Sequence, residues 1–297
     1  MNSALAPFGN MSASHLETGL RAVDLFAPIP LGCDILVSGE PKSGGRILGT
    51  ELALRLSRLP KKPPKVIAFL DATVPDADDY EAEFKETVPG VELLRVPSVS
   101  AETLKPHLAH RPFSLGNAVF AFGQEPWFIE GFLRAVKAGR ESALFTKLTS
   151  FVVTETSVAD SFDARLHTLR ALAAEAIYPA LDASVSASKA IGLDRHAPGH
   201  TSVAQAARKA VAQVAADLAP GAIKDEHWPW RTDPAKRPAL QALLFLSQPY
   251  FCAEIYTGMT AAAMPLADTV KQFQAILEGR YRDTDPALFR FRNTPPE

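Results

Sequence analysis

Cysteine is scarce in this chain, and the two that occur, Cys33 and Cys252, lie far apart in the sequence. Two distant cysteines suit neither a disulfide framework nor a metal cluster, which favours a reducing cytoplasm with both thiols as small buried apolar groups. No uninterrupted apolar run reaches the roughly 20 residues of a membrane span, and the start of the chain lacks the basic and apolar regions of a secretory signal. The sequence therefore predicts a cytoplasmic protein without direct membrane insertion, with residues 1–14 as a flexible tail.

A surplus of basic residues is also absent. The formal net charge is -2 and the pI is near 6.4 over 297 residues. Nucleic acid and anionic membranes attract proteins through positive charge, so the sequence supplies no electrostatic case for either as the main partner. The 47% hydrophobic and 22% charged residues instead predict a soluble globular protein, long enough for one large domain or two ordinary ones.

Short apolar runs alternate with helical patterns through the first half of the chain. They cover residues 34–37, 66–70, 118–122 and 151–153. Such runs are typical of strands that are buried on both faces of a parallel sheet. Between the first two runs, leucines recur at helical spacing, which predicts a strand-turn-helix-strand unit and a doubly wound α/β domain over residues 15–183.

The second half of the chain has the pattern of helices. Apolar faces over residues 203–218 and 270–277 predict a C-terminal helical domain over residues 184–297. Between them, the polar and aromatic segment 224–231 predicts an exposed loop, since two prolines nearby disfavour a helix interior. Exposed tryptophans are frequent interface anchors, so Trp228 and Trp230 are candidate partner contacts. The alternative is that both tryptophans fold back onto the helices.

Residues 15–28, 177–182 and 245–281 together carry a family resemblance. In the same order along the chain, these three blocks resemble the catalytic beta subunit of rotary (F-type) ATP synthase. The resemblance implies a RecA-like P-loop nucleotide-binding core with a parallel sheet, followed by a C-terminal α-helical domain. It also implies that the N-terminal β-barrel of the family, and several dozen residues of its nucleotide domain, are absent.

Gly39 and Gly44 stand at the spacing of a phosphate loop, after a predicted strand and before a predicted helix. Such a loop turns backbone N–H groups toward phosphates, while a lysine reaches the terminal phosphates and a hydroxyl binds magnesium. Here Gly45 occupies the lysine position and Arg46 the hydroxyl position. Losing the lysine removes a contact worth roughly 1.5–3 kcal/mol, so hydrolysis by the family mechanism is not expected.

Two interpretations of this loop remain open. In one, Lys42 or Arg46 swings in to neutralise phosphate, and the predicted nucleotide contacts are Gly39, Lys42, Ser43, Gly44, Gly45 and Arg46. In the other, the glycines form only a tight inherited turn between strand and helix. Arginine cannot ligate magnesium in either case, so no metal is expected.

The other catalytic positions of the family are changed as well. Its water-polarising glutamate aligns with Asp71, a shorter carboxylate that could equally cap the end of a strand. The aspartate that supports magnesium has no counterpart, because the apolar run 118–122 continues into Gly123 and Gln124. Either Glu125 substitutes for it or the metal-binding strand lies in the missing part. The resemblance therefore implies that no catalytic residue is retained with its family role.

Tyrosine occupies all three positions that surround the adenine ring in the family, namely Tyr178, Tyr250 and Tyr256. A tyrosine offers a flat apolar face that suits a purine, or it simply packs the seam between two domains. Base stacking gives roughly 1–3 kcal/mol, whereas a millimolar site needs about 4 kcal/mol. Any ATP or ADP is therefore expected to bind weakly and without magnesium.

The leading hypothesis is a non-catalytic, ATP-synthase-beta-like protein, a pseudo-ATPase. It scaffolds, assembles or regulates a larger complex together with other protein subunits. One alternative is an ATPase whose remodelled site is completed by a partner subunit. The other is a protein-interaction module that binds no nucleotide.

Overall fold

The computed structural model describes residues 15–59, 63–108, 116–141, 148–158, 161–192 and 197–296. The predicted flexible tail, residues 1–14, lies outside this range. The described residues form nine strands and eleven α-helices, besides four short 3-10 helices. In chain order they are β1 (His15–Leu16), α1 (Arg21–Phe26), β2 (Ile29–Pro30), β3 (Asp34–Gly39), α2 (Gly45–Ser57), β4 (Lys65–Asp71), α3 (Ala77–Thr87), β5 (Glu92–Val96), α4 (Ala101–Leu104), β6 (Asn117–Phe122), α5 (Pro126–Glu141), β7 (Leu148–Thr154), β8 (Ala164–Thr168), α6 (Arg170–Ala174), β9 (Ala187–Ser188), α7 (His200–Ala216), α8 (Pro229–Thr232), α9 (Arg237–Phe245), α10 (Glu254–Thr257) and α11 (Leu266–Leu277).

The described part of the chain contains one seven-stranded sheet in the order β5-β4-β6-β7-β3-β8-β9. Its strands run parallel except β9, which is antiparallel to β8. The four predicted strands are β3, β4, β6 and β7, so the prediction of an α/β protein with a mainly parallel sheet is confirmed. Because parallel strands end at one edge, the loops that follow β3, β4 and β7 meet there.

The apolar runs are continuous because both faces of the sheet are covered. Along β4, the side chains of Val66, Ala68 and Leu70 join one buried cluster, whereas Ile67 and Phe69 join another on the opposite face. Helices α2 and α3 cover the first face, and α4 and α5 cover the second. The alternation follows from the two-residue period of a strand.

Helix α2 lies very close to the sheet at Gly49. A Cβ atom at this position would stand 2.8 Å from Val153 Cγ2 and 2.9 Å from Phe122 Cε1. Such distances are shorter than van der Waals contact, so only glycine fits without a shift of helix or sheet. The helix that begins at the glycine loop is thereby pressed onto β6 and β7.

The regular elements of residues 197–296 are all helical. The two predicted helices are α7 and α11, and Phe245 of α9 packs against α11, with its ring 5.6 Å from that of Phe273. These helices belong to the same apolar cluster as the first face of the sheet. No described helix is both long and apolar enough to span a bilayer.

A fully buried ion pair fastens α2 to the helical half. Arg55 Nε lies 2.6 Å from Glu51 Oε1, one turn earlier, and neither side chain reaches solvent. The Glu51 carboxylate also accepts hydrogen bonds from the backbone amides of Phe251 and Cys252, at 3.0 and 2.9 Å. The Arg55 guanidinium lies 4.5 Å from the centre of the Phe251 ring. Both charges are therefore paired as burial requires.

Gln248 is a second link, and it joins three distant segments. Its backbone N–H donates to Tyr178 O at 2.7 Å, and its side-chain Nε2 donates to Gly19 O at 2.8 Å. Its Oε1 accepts from the backbone N–H of Arg21 at 3.0 Å. The Gln248 side chain thus hydrogen-bonds the backbone of the N-terminal segment. Its own backbone N–H hydrogen-bonds the carbonyl of Tyr178, which follows α6.

Asp24 in α1 is a buried carboxyl in the same region. It accepts hydrogen bonds from Thr18 N, Thr18 Oγ1 and Gly19 N at 2.9, 2.8 and 2.7 Å. Burial, together with the nearby Glu17 carboxylate, outweighs these bonds and raises the pKa of Asp24 to about 8. The native state therefore holds more protons than the unfolded chain between about pH 4 and this value.

Replacing Glu51 by alanine is expected to lower the free energy of unfolding by about 3–5 kcal/mol, because Arg55 then remains buried without a partner. Urea unfolding measures the change. The control is Glu81→Ala in α3, which removes an exposed pair with Lys85 at the same spacing and should cost at most about 0.5 kcal/mol. Equal losses in the two variants would show that burial of the pair is unimportant.

We also expect the free energy of unfolding to fall as the pH rises from about 4 to about 8, since ionising Asp24 is unfavourable in the folded protein. Asp24→Asn should lose this part of the pH dependence. Urea unfolding across that range tests it, with the exposed Asp268→Asn as a control that keeps the original slope. A slope unchanged by Asp24→Asn contradicts the expectation.

Candidate functional site

A cavity of about 600 Å³ lies at the carboxyl edge of the sheet. Its floor is the loop between β3 and α2, one wall is α3, and the residue that follows β7, Glu155, also faces it. The opposite wall comes from Tyr178, which follows α6, and from Cys252 and Tyr256 of the helical half. The cavity therefore occupies the place where parallel α/β sheets ordinarily hold ligands.

The glycine loop turns as its sequence predicts. Gly44 precedes α2 with φ 87°, and Lys42 also has a left-handed backbone with φ 65°. At Gly39, a Cβ atom would lie 2.0 Å from Thr168 Oγ1, so no larger residue fits there. The N–H groups of Gly44 and Gly45 donate no hydrogen bond to the backbone of any described residue. They lie at the N-terminus of α2, where the first N–H groups have no partner within the helix.

Ser43 serves the loop itself rather than the cavity. Its hydroxyl donates to Glu40 O at 2.5 Å and lies 2.6 Å from Thr168 Oγ1 at the end of β8. Its side chain is buried and does not line the cavity. The Glu40 carboxylate in turn accepts from the backbone N–H of Arg170 at 2.7 Å. The loop after β3 is thus fastened to the segment after β8.

Arg46 lines the cavity, but its charge is already paired. Its Nη1 lies 2.7 Å from Asp76 Oδ2, just before α3, and its guanidinium lies 5.6 Å from the centre of the Tyr80 ring. The hydrogen bond from Arg46 lowers the pKa of Asp76 below its usual range. Arg46 therefore points across the cavity to α3, which weakens its availability to a phosphate.

Lys42 is the second cation of the cavity. It is exposed and makes no ion pair with any other residue in the described ranges. The same cavity is lined by four carboxylates: Asp76, Asp79, Glu83 and Glu155. Four negative groups against two positive ones leave a formal charge of -2, which disfavours a polyphosphate.

These carboxylates were missed by the sequence analysis. They come from the loop before α3, from α3 itself and from the end of β7, which are far apart along the chain. The acidic composition of residues 76–86 was the available signal. Among the described residues, no group of three or more His, Cys, Asp or Glu side chains is arranged to hold a metal ion.

The three predicted base-contacting tyrosines have different positions. Tyr178 and Tyr256 line the cavity, and Tyr256 is exposed, whereas Tyr250 does not line it. The ring of Tyr250 lies 6.4 Å from that of Tyr178, and burial raises the pKa of Tyr250 well above its ordinary value. Tyr250 thus packs in the seam behind Tyr178, so only two of the three can face a ligand in the cavity.

Asp71 is not brought to the cavity. It is buried at the end of β4, where its Oδ1 accepts from Thr73 N at 2.9 Å and from Thr73 Oγ1 at 2.7 Å. Its other oxygen is buried without a hydrogen-bond partner among the described residues. This geometry is that of a carboxylate capping a strand end. Glu125, at the start of α5, does not line the cavity either.

The segment with the two tryptophans differs from the predicted exposed loop. Its end forms the short helix α8, and Trp230 is only 7% exposed. The indole Nε1 of Trp230 donates to Asp217 Oδ2 at 3.0 Å, and Trp228 is half-buried against the core. The loop prediction is therefore wrong over residues 229–231, because the aromatic side chain gains more by burial in the apolar cluster than by facing water.

No model of a known protein family matches this chain.

Asp76→Asn is expected to strengthen binding of ADP about tenfold, because it removes one negative charge and releases Arg46. Isothermal titration calorimetry measures the change. Asp78→Asn is the matched control, since this carboxylate lies two residues further on, in α3, but pairs with Arg95 instead. Equal affinity in the two variants would mean that the Arg46–Asp76 pair does not limit anion binding.

Proposed function

We propose that this protein is a non-catalytic relative of the ATP synthase beta subunit that serves as a scaffold, assembly or regulatory subunit of a larger complex. Its architecture in this proposal is a RecA-like core followed by a C-terminal helical domain. Gln248 supports the relationship, because it links all three blocks of the resemblance through Gly19, Arg21 and Tyr178. The three segments of the resemblance, which are far apart in the sequence, thus meet at one residue.

The observation that carries the non-catalytic part of the proposal is the pairing of Arg46 with Asp76 above the glycine loop. Gly45 has no side chain that could reach the terminal phosphates, and the Arg46 guanidinium is bound by the carboxylate of Asp76. Ser43, the nearest hydroxyl, is bonded to Thr168 and Glu40. The loop therefore keeps a backbone suited to phosphate without the side chains that phosphoryl transfer uses.

The charge of the cavity also supports a non-catalytic role. Transition-state charge stabilisation in phosphoryl transfer is worth about 10³–10⁵ in rate, and it requires positive groups around the phosphates. Here carboxylates outnumber cations by four to two. Tyr178 and Tyr256 offer aromatic surface, so an adenine nucleotide binds through its base, weakly and without magnesium.

Calorimetric titration of ATP and ADP, with and without magnesium, tests the proposal. We expect a dissociation constant of about 1 mM or weaker, unchanged by the metal, and no release of phosphate above that of Lys42→Ala. Magnesium-dependent turnover that stops in Lys42→Ala or Asp71→Asn would contradict it.

The complex itself is tested by the native mass of the protein isolated from its own cells. We expect it to migrate well above the 32.0 kDa of the single chain and to carry other chains with it. Migration as a lone chain contradicts the scaffold proposal.

A further inference from the structure

The mouth of the cavity carries exposed apolar side chains. Ile47 at the start of α2 and Tyr256 in α10 both line the cavity, and Ile255 is adjacent to Tyr256. Ile255 and Tyr256 are 63% and 62% exposed, and Ile47 is exposed as well. We call Ile47, Ile255 and Tyr256 the mouth patch. Two of the three residues line the cavity and the third precedes Tyr256 in α10, and exposed apolar groups around a cavity are typical of interaction sites.

Negative charge faces the mouth patch from α3. Asp79 and Glu83 lie one helical turn apart on the wall of the cavity, and both are exposed. Neither forms an ion pair with another residue of the described segments. Desolvation, together with the carboxylates of Glu86 and Glu83, raises the pKa of Tyr256, and both Glu83 and Tyr256 line the cavity.

We propose that the mouth patch binds a segment of a partner protein that places an arginine or lysine beside Asp79 and Glu83 and an apolar side chain against Ile47, Ile255 and Tyr256. The proposal rests on the proposed function, because it names the chemistry of the partner in that complex. An exposed acidic helix beside an apolar rim is complementary to a basic amphipathic segment.

Other occupants fit less well. A second copy of the chain, joined about a two-fold axis, would bring the same patch and the same acidic helix face to face, so like charges would oppose each other. An anionic lipid surface would be repelled by Asp79 and Glu83. The loop cation Lys42 is the single unpaired positive group among the described residues that line the cavity, which is too little for a polyanion.

The test uses the full chain and two fluorescent amphipathic peptides, one of leucine, alanine and arginine, the other with every arginine replaced by glutamate. We expect fluorescence anisotropy to show binding of the arginine peptide alone, weaker at high salt. The double variant Asp79→Asn with Glu83→Gln should weaken binding about tenfold. Ile255→Ser with Tyr256→Ser should weaken it by a similar factor.

Matched controls lie elsewhere on the surface. Glu130→Gln removes an exposed carboxylate from α5 on the opposite face of the sheet, and Val185→Ser removes an exposed apolar side chain outside the cavity. Both should bind the arginine peptide like the unmodified protein. All four variants alter exposed residues, so thermal unfolding should show that each remains folded.

Equal binding of both peptides, or binding unchanged in the Asp79/Glu83 double variant, would overturn the inference. It is also overturned if sedimentation shows the unmodified protein as a dimer that Ile255→Ser with Tyr256→Ser dissociates, since the occupant is then a second copy. Failure of the proposed function is separate, because magnesium-dependent ATP turnover refutes it whatever the peptides do.

Discussion

The buried ion pair of Glu51 and Arg55 determines how the two halves of this protein meet. A charge removed from water is tolerated only when partners surround it, and here the partners are supplied by distant segments. Glu51 holds the amides of Phe251 and Cys252, while Arg55 Nη1 donates to Thr18 O at 3.1 Å. The pair has all its hydrogen-bond partners only when the N-terminal segment and the helical half are both in place. The two buried charges therefore couple both segments to α2.

The position of α2 in turn determines the cavity. The helix begins at the glycine loop, and Gly49 presses it against β6 and β7, so the loop has little freedom to move away from the sheet. Thr168 holds the same loop from the other side through Ser43. Phe251 and Cys252, whose amides bind Glu51, are followed by Ala253 and Tyr256, which line the opposite wall of the cavity. One buried pair therefore aligns the loop with the aromatic wall opposite it.

The side chains at the loop have a chemistry unlike that of a phosphate site. Arg46 is engaged by Asp76, and the remaining carboxylates leave the cavity with excess negative charge. A glycine loop at the start of a helix and a surplus of carboxylates thus lie at the same cavity. A nucleotide would find an aromatic wall but few cations, whereas a basic side chain would find carboxylates that no described residue neutralises.

Local patterns in the sequence were sufficient for much of the fold. The apolar runs of β3, β4, β6 and β7 identify strands buried on two faces, because a parallel sheet covered by helices leaves no polar side. The sequence also predicts α2, α7 and α11 from their helical spacing and the turn from its glycines, since each of these depends on neighbouring residues alone. The sequence also shows that Gly45 and Arg46 stand where a phosphate loop carries a lysine and a hydroxyl.

Contacts between distant residues were decided only by the tertiary structure. The sequence could align Asp71 with a catalytic position, but burial and Thr73 turn its carboxylate into a cap. It could not tell that Tyr250 lies behind Tyr178, or that Trp230 packs inward on Asp217. The pairing of Arg46 with Asp76 joins residues thirty positions apart. Which charges face one cavity depends on how the strands are ordered and how the helices pack, and no local pattern encodes that order.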